Sequence, residues 1–449
     1  VALEPVYYPY GSHLLENVLK PVCSEHGGIT QSLLATSVQY TEHLDIKSLM
    51  AQMPKYHKVL LGPAADIQYH LAGYGAFYEE ALIRLAGEAI ERYALLVAPH
   101  MLAERIVYAS YNEIARRGRV VPFEYLQLFS ARDYEKLNRG MFHGMRALER
   151  DDTVGWLACP SLFDPDCEIW VPAQMLFVGY KFSRSDKEVG FLPGFSTGTA
   201  AHTSVEKALE SALLEFIEID ALMLHWYTEL RAPAITIDDL NVAALLPKLM
   251  AADARYEVLA LDLRTLKGVE AHAIGAVLIN KREERPFILM GAQGHLDPVR
   301  GLYRGVMEAM AIGYLGVYGP LFLPREYWPR GESTFTDLDQ NVAFFASPEK
   351  SAEKRAAIQK LTQGRKALSG MKSFASNDTA TLIRQLAGVS EYGVFLDITP
   401  PETRSRGWRV MRVFLPELVT MCVPGVPYSE HPRVKAYGGI SNEYPHPLP

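Results

Sequence analysis

Apolar residues recur at three- and four-residue spacing in two long stretches of the chain, and each stretch predicts a helix. From Tyr78 to about Val97 the repeat is carried by Leu82, Leu85, Ala86, Ala89, Ile90 and Tyr93. From Thr203 it runs through Ala208, Leu209, Ala212, Leu213, Phe216 and Ile217 until Ala232-Pro233 closes the element. Thr203-Ser-Val-Glu206 has the form of a capping box, with Thr203 accepting from the Glu206 amide while Glu206 reaches back. Asp297-Pro298, an N-cap followed by proline at the first helical position, opens a third helix that runs to about Val317. A charged, alanine-rich stretch from Ser347 to about Arg365 predicts a solvated surface helix.

Between these helices lie strand-like apolar runs at Ile169–Pro172, Met175–Tyr180, Val258–Leu263, Ala271–Ile279, Phe287–Met290, Gly393–Thr399 and Arg409–Leu415. Helices and strands do not follow a consistent βαβ order, so the pattern predicts a mixed α/β (α+β) fold rather than a doubly wound one. Residues 1–65, with turn signals at Gly11-Ser12, Gly27-Gly28 and Gly62-Pro63, read as an α/β segment ahead of a larger unit, 66–449. No internal repeat of fixed period and no low-complexity tract emerges. The chain closes on Pro445-His-Pro447-Leu-Pro449, which predicts a polyproline II tail.

Composition narrows the class. With 449 residues and 49% hydrophobic positions the chain can bury a sizeable core. It has no apolar run of about 18 residues and no charged-then-apolar N-terminus, so membrane-spanning and secretory readings fail and a cytoplasmic protein is expected. Cys23, Cys159, Cys167 and Cys422 form no Cys-x-x-Cys pair and read as reduced buried thiols. A net charge of -7 argues against nucleic acid, whose binding needs a concentrated basic face.

Candidate chemistry rests on two Glu-x-x-Glu pairs, Glu88/Glu91 and Glu215/Glu218, one on each of the first two helices. Residues three apart share a helix face, where like charges repel unless a cation or water relieves them. Two facing pairs could hold Mg²⁺, a hard ion that takes oxygen ligands, against phosphates; equally, each pair could decorate a solvated face. Gly194-Phe-Ser196-Thr-Gly198 matches the nucleophile elbow of serine hydrolases. Pro193 interrupts its approach, however, and the helix starts too late. The other reading is a small-residue loop at a helix N-terminus, where Ser196, Thr197 and Thr203 contact phosphate. Gly73-Tyr-Gly75 lacks the third glycine of a dinucleotide fingerprint, and no P-loop motif is present. His225, inside an apolar helical stretch, reads as a core residue.

Taken together, Ser196-Thr-Gly-Thr-Ala-Ala with Glu215-Phe-Ile-Glu218-Ile-Asp220, and Gly87-Glu-Ala-Ile-Glu-Arg92-Tyr, resemble signatures of the YcaO superfamily. Asp397-Ile-Thr-Pro, Val410-Met-Arg-Val and Pro416-Glu-Leu resemble its C-terminal part, and the Pro-x-Pro-x-Pro ending is similar to that of its azoline-forming members. The resemblance implies a YcaO-type fold over residues 66–449 and an ATP- and Mg²⁺-dependent cyclodehydratase acting on Cys, Ser or Thr of a ribosomal precursor peptide. It implies Glu88, Glu91, Glu215 and Glu218 as Mg²⁺ and nucleotide ligands, with Arg92, Ser196 and Thr203 as further nucleotide contacts. Pro445, Pro447 and Pro449 would lie at the active site, the Pro449 carboxylate a candidate proton acceptor. Nothing before residue 66 is long enough for the E1-like, leader-binding partner of such enzymes, so a separate partner protein is implied; a homodimer stays open. Tyr74, Ile219 and Ala311 stand where the family often has Lys, Arg or His, and Gln. These departures keep a second reading alongside the first, a catalytically weak scaffold subunit of a peptide-modifying complex.

Overall fold

A computed structural model describes residues 22–23, 28–30, 32–36, 46–54, 71–140, 142–183, 185–249, 255–322, 335–336 and 338–448. The expected turns at 11–12 and 62–63, and Pro449, lie outside the described residues. Three long helices dominate: α1 (Tyr78–Met101), α2 (Val205–Tyr227) and α3 (Pro298–Phe322). The first two are predicted by the apolar spacing and the third by its Asp297-Pro298 start.

Four sheets surround these helices among the described residues. Strands β1 (Ser32–Thr36), β2 (Lys47–Gln52) and β3 (Leu71–Gly75) form one antiparallel sheet, in that order. It joins strands from both sides of residue 65, and β3 leads directly into α1. A second antiparallel sheet comprises β4 (Val107–Ser110), β5 (Thr153–Pro160) and β6 (Glu168–Pro172). A third places β14 (Arg409–Phe414) between β13 (Val394–Asp397) and β7 (Thr199–His202). The largest uses β8 (Ala232–Thr236), β9 (Tyr256–Asp262), β10 (His272–Asn280), β11 (Ile288–His295) and β12 (Thr362–Ala367), ordered β11-β10-β9-β8-β12. Only the β8–β12 pair is parallel in that sheet. The fold is thus mixed α+β, without a parallel doubly wound sheet among the described residues. No helix among them is long and apolar enough to cross a membrane.

The core sits where α2 and α3 cover the large sheet. Every residue of β10 is buried, which accounts for its nearly continuous apolar sequence instead of a period of two. Helix α1 packs on β2, β3 and β7, and α2 on β7, β14, β10 and β11. The three helices therefore converge, and α2 is shared between two sheets.

Three local expectations are corrected. The N-cap of α2 is Ser204, not Thr203: Ser204 has extended backbone and its Oγ accepts from Lys207 N at 3.2 Å. Strand β7 stays paired as far as His202, opposite Arg409, which postpones the helix by one residue and leaves Glu206 out of any box. The run Met175–Tyr180 is not a strand. Residues Ala173–Leu176 form a helical turn, and buried Gln174 spans to Val189 O (2.6 Å) and Phe191 N (3.1 Å), a side chain standing in for a ladder. The stretch 347–365 splits into a helix, Ser351–Lys360, and β12. Parallel pairing with β8 overrides helical propensity after buried Leu361. The cap of α3 is as expected, Asp297 Oδ1 accepting from Arg300 N at 3.0 Å.

Candidate active site

Glutamates from all three long helices meet at the convergence of α1, α2 and α3, each tied to the backbone of a neighbouring strand or loop. Glu88 Oε2 accepts from Ala72 N of β3 at 2.9 Å. Glu215 Oε2 accepts from Gly198 N at 3.1 Å, and Glu218 Oε2 from Gly294 N of β11 at 2.7 Å. Glu308, on α3, uses Oε2 to accept from Ala292 N at 2.8 Å. One oxygen is fixed in each case. The second oxygens of Glu215, Glu218 and Glu308 have no hydrogen-bonding protein partner among the described residues. Glu91 completes the set, beside Arg92 at 3.7 Å.

The electrostatics follow from this crowding. Burial first, and Glu308 second, push Glu218 up to about 8. Burial and then Glu218 push Glu215 up to about 7; burial, with Glu215 adding to it, pushes Glu308 up to about 7. Glu91 rises well above the usual carboxylate range, from burial and from Glu215 and Glu88. Carboxylates held in this state favour whatever neutralises them, a proton or a cation. The all-oxygen donor set fits a hard divalent ion such as Mg²⁺. Among the described residues, no three His, Cys, Asp or Glu side chains are already drawn in around one metal position. Glu88, Glu91, Glu215, Glu218 and Glu308 are the residues that would hold one.

The Ser196 loop serves this cluster through its backbone. Gly198 has φ +86°, a left-handed conformation that glycine adopts freely, and this turns its N–H onto Glu215. Arg412, 1% exposed, fixes the loop from behind, donating to the carbonyls of Met175, Phe195, Ser196 and Thr197 and to Thr199 Oγ1. Burial lowers its guanidinium to about 10, with Glu215 and Glu91 opposing the shift. Past Ser196 the chain enters β7, not a helix, so the nucleophile-elbow geometry is absent. Thr203 is exposed beside His202, at the start of α2 and three turns before Glu215. Arg92 lies 3.6 Å from Glu88 and 3.7 Å from Glu91.

Pro445 and Pro447 are buried against the other end of α2. Trp226 Nε1 donates to Tyr444 O at 3.0 Å, His446 N to Tyr227 Oη at 3.2 Å, and Asn341 Nδ2 to His446 O at 2.6 Å. These anchors are two to three turns beyond Glu218. His225 is a core residue, its Nδ1 2.8 Å from Ala221 O. Asp220, in the same motif as the glutamates, is wholly buried and pairs with Arg433 at 2.7 Å.

Glu308, Arg304 and Arg412 are missing from the sequence-derived site. A signal for the first two exists. Ala72, Leu82, Arg84, Glu88 and Ala89 recur as Ala292, Leu302, Arg304, Glu308 and Ala309, each offset by 220 residues. Both sets span a strand and the helix after it, β3–α1 and β11–α3. A side chain at Gly73 would strike Ala81 O and Leu85 N, and one at Gly291 would strike Gly305 O and Ala309 N. Close strand–helix approach thus brings each glutamate to its amide. The sequence therefore does contain one repeated unit, too sparse in identities to register as a period.

A model of the YcaO family, described as cyclodehydratase, ATP- and Mg²⁺-binding, matches residues 72–419. No curated protein matches the sequence. Among solved structures, a heterocyclase in complex with substrate and cofactor is similar with TM-score 0.71 and 19% identity over 97% of this chain. This chain spans only 57% of that heterocyclase. YcaO from Methanopyrus kandleri, bound with AMPPCP and Mg²⁺, gives TM-score 0.58 and 17% identity over 93% of this chain and 91% of that one. The E. coli microcin synthetase McbBCD complex gives 0.63 and 13% over 95% and 99%. At these identities the likeness is one of fold.

Proposed function

The chain belongs to the YcaO family of ATP- and Mg²⁺-binding cyclodehydratases, and we propose that it closes azoline rings on Cys, Ser or Thr residues of a ribosomally made precursor peptide. The observation that carries this reading is the set of five glutamates on three helices, four of them tied to backbone amides, with strained electrostatics that a Mg-nucleotide relieves.

In the proposed reaction the substrate's thiol or hydroxyl adds to the preceding backbone carbonyl. ATP phosphorylates the resulting oxyanion, and phosphate leaves as the ring gains its C=N bond. Phosphorylation turns a poor leaving group into a good one, and the catalytic demand is then positioning and charge neutralisation. Glu88, Glu91, Glu215, Glu218 and Glu308 would hold Mg²⁺ against the phosphates, with Arg92 as an additional phosphate contact. Ser196 contributes loop backbone in this reading and is not a nucleophile. A precursor peptide and a separate E1-like leader-binding protein are the proposed partners; that the E. coli relative is a McbBCD complex supports such an assembly. The intact glutamate set favours an active enzyme over a silent scaffold.

The test is to incubate the chain and its partner with a Cys/Ser/Thr-rich precursor peptide and Mg-ATP. Mass spectrometry is expected to show loss of one water per ring, with phosphate released in step. Unchanged peptide mass, or rings formed without ATP, would overturn the reading.

A further inference from the structure

Gly198 is the pivot between the Ser196 loop and the glutamate cluster, and its backbone is held at three points. Its N–H donates to Glu215 Oε2 at 3.1 Å, and its own carbonyl accepts from Val413 N of β14 at 2.7 Å. The third point lies on the far end of the same peptide group. Thr197 O, which shares a plane with the Gly198 N–H, accepts from Arg412 Nη1. Register puts the arginine there, because Arg412 stands opposite Thr199 in the β14–β7 ladder. One rigid peptide unit therefore has a guanidinium on its oxygen and a carboxylate of the cluster on its hydrogen. The charge balance gives this contact a role beyond packing. Arg412 is buried, and among the described residues each of its hydrogen bonds goes to an uncharged oxygen, four of them backbone carbonyls. The carboxylates that act on it are Glu215 and Glu91. Its counter-charge is thus reached through the peptide and not by direct contact. A hydrogen bond accepted at a peptide oxygen polarises the group and strengthens the donor at its nitrogen, and a low-dielectric interior enlarges the effect.

We propose that Arg412 is a positioning residue for Mg²⁺ binding, acting on Glu215 through the Thr197–Gly198 peptide. This rests on the Mg-ATP reading of the site and adds to it a residue that works from behind the loop. The strengthened Gly198 N–H fixes Glu215 Oε2 and leaves Oε1 to the metal. The charge of Arg412 also favours the ionised carboxylate that a metal needs.

The pair Thr-Gly occurs once in the sequence, so ¹³C-carbonyl threonine with ¹⁵N-glycine isolates the Gly198 amide in NMR spectra of the full chain. In metal-free wild type at pH 8 its proton is expected downfield of the other glycine amides, as a donor to a charged oxygen. Arg412→Met is expected to move that proton upfield. The same variant is expected to weaken Mg²⁺ binding, titrated calorimetrically at fixed ATP, by about tenfold, the weight of a charge-assisted hydrogen bond. Arg412→Lys, which keeps the charge, is expected to recover part of both effects. If Arg412→Met fails to fold, Arg412→Gln, which keeps a donor for Thr197 O without the charge, carries the same comparison. Lys and Met variants that behave alike would show an arginine that only fills space, and would overturn the assignment. An unmoved Gly198 resonance, or unchanged Mg²⁺ affinity, overturns it as well while leaving the Mg-ATP site standing. A wild type that binds no Mg²⁺ in the presence of ATP overturns both.

Discussion

Asp220 and the pair Glu215/Glu218 stand on one helix within five residues, and the fold treats them in opposite ways. Asp220 is completely enclosed yet fully answered: Arg433 donates Nε and Nη2 at 2.7 and 2.9 Å, Val419 N donates at 2.9 Å and Thr265 Oγ1 at 3.2 Å. It fastens α2 to the C-terminal segment. Glu215 and Glu218 receive one backbone amide each and face other carboxylates. Burial alone therefore does not mark a functional acid. Burial without compensation singles out a carboxylate that only a proton or a bound cation can neutralise.

Glu218→Gln and Glu215→Gln sharpen this comparison most. Each is expected to lower ATP-dependent dehydration by roughly a hundredfold or more, read by mass spectrometry of the peptide, while metal-free protein at pH 8 keeps or gains thermal stability. Asp220→Ala is expected to do the reverse. It leaves the Arg433 charge without its partner, and urea unfolding should show a loss of about 3–5 kcal/mol. Glutamine variants as unstable as Asp220→Ala would erase the distinction.

A pH series gives a smaller effect. Folded Glu215, Glu218 and Glu308 keep protons that the unfolded chain releases near the ordinary carboxylate value. Stability from this source is fully present at low pH and is lost as pH rises towards 7 to 8. Metal-free protein should thus melt at lower temperature at pH 8 than at pH 6, whereas Mg²⁺ binding, which displaces these protons, should tighten over the same range. Melting curves with and without Mg²⁺ check both; opposite slopes would show that the carboxylates are already compensated. The smallest effect is expected for Ser196→Ala, within about twofold of wild-type activity since the loop acts through backbone groups. A large loss in ring formation would instead implicate the hydroxyl.

Much of this was legible before folding. Apolar spacing located α1 and α2, Asp297-Pro298 located the start of α3, and the two Glu-x-x-Glu pairs named four of the five glutamates. Thr203 was misplaced as a cap because the sequence cannot show that β7 continues to His202 against Arg409. Glu308 escaped because a lone glutamate on an apolar helix is not distinctive until its strand partner is known. The tail was recognised by its prolines, whereas its packing on Trp226 and Tyr227 required the fold.

What the sequence determined is local: helix periods, one proline-marked start, and the spacing that puts Glu88 with Glu91 and Glu215 with Glu218 on single faces. Which carboxylate is answered by a counter-charge and which faces other carboxylates was decided only by tertiary structure. That distinction depends on the groups brought opposite each acid from distant segments, Arg433 to Asp220 and other glutamates to Glu215 and Glu218. A helix period fixes which way a side chain points, and only the packed chain supplies what it meets there.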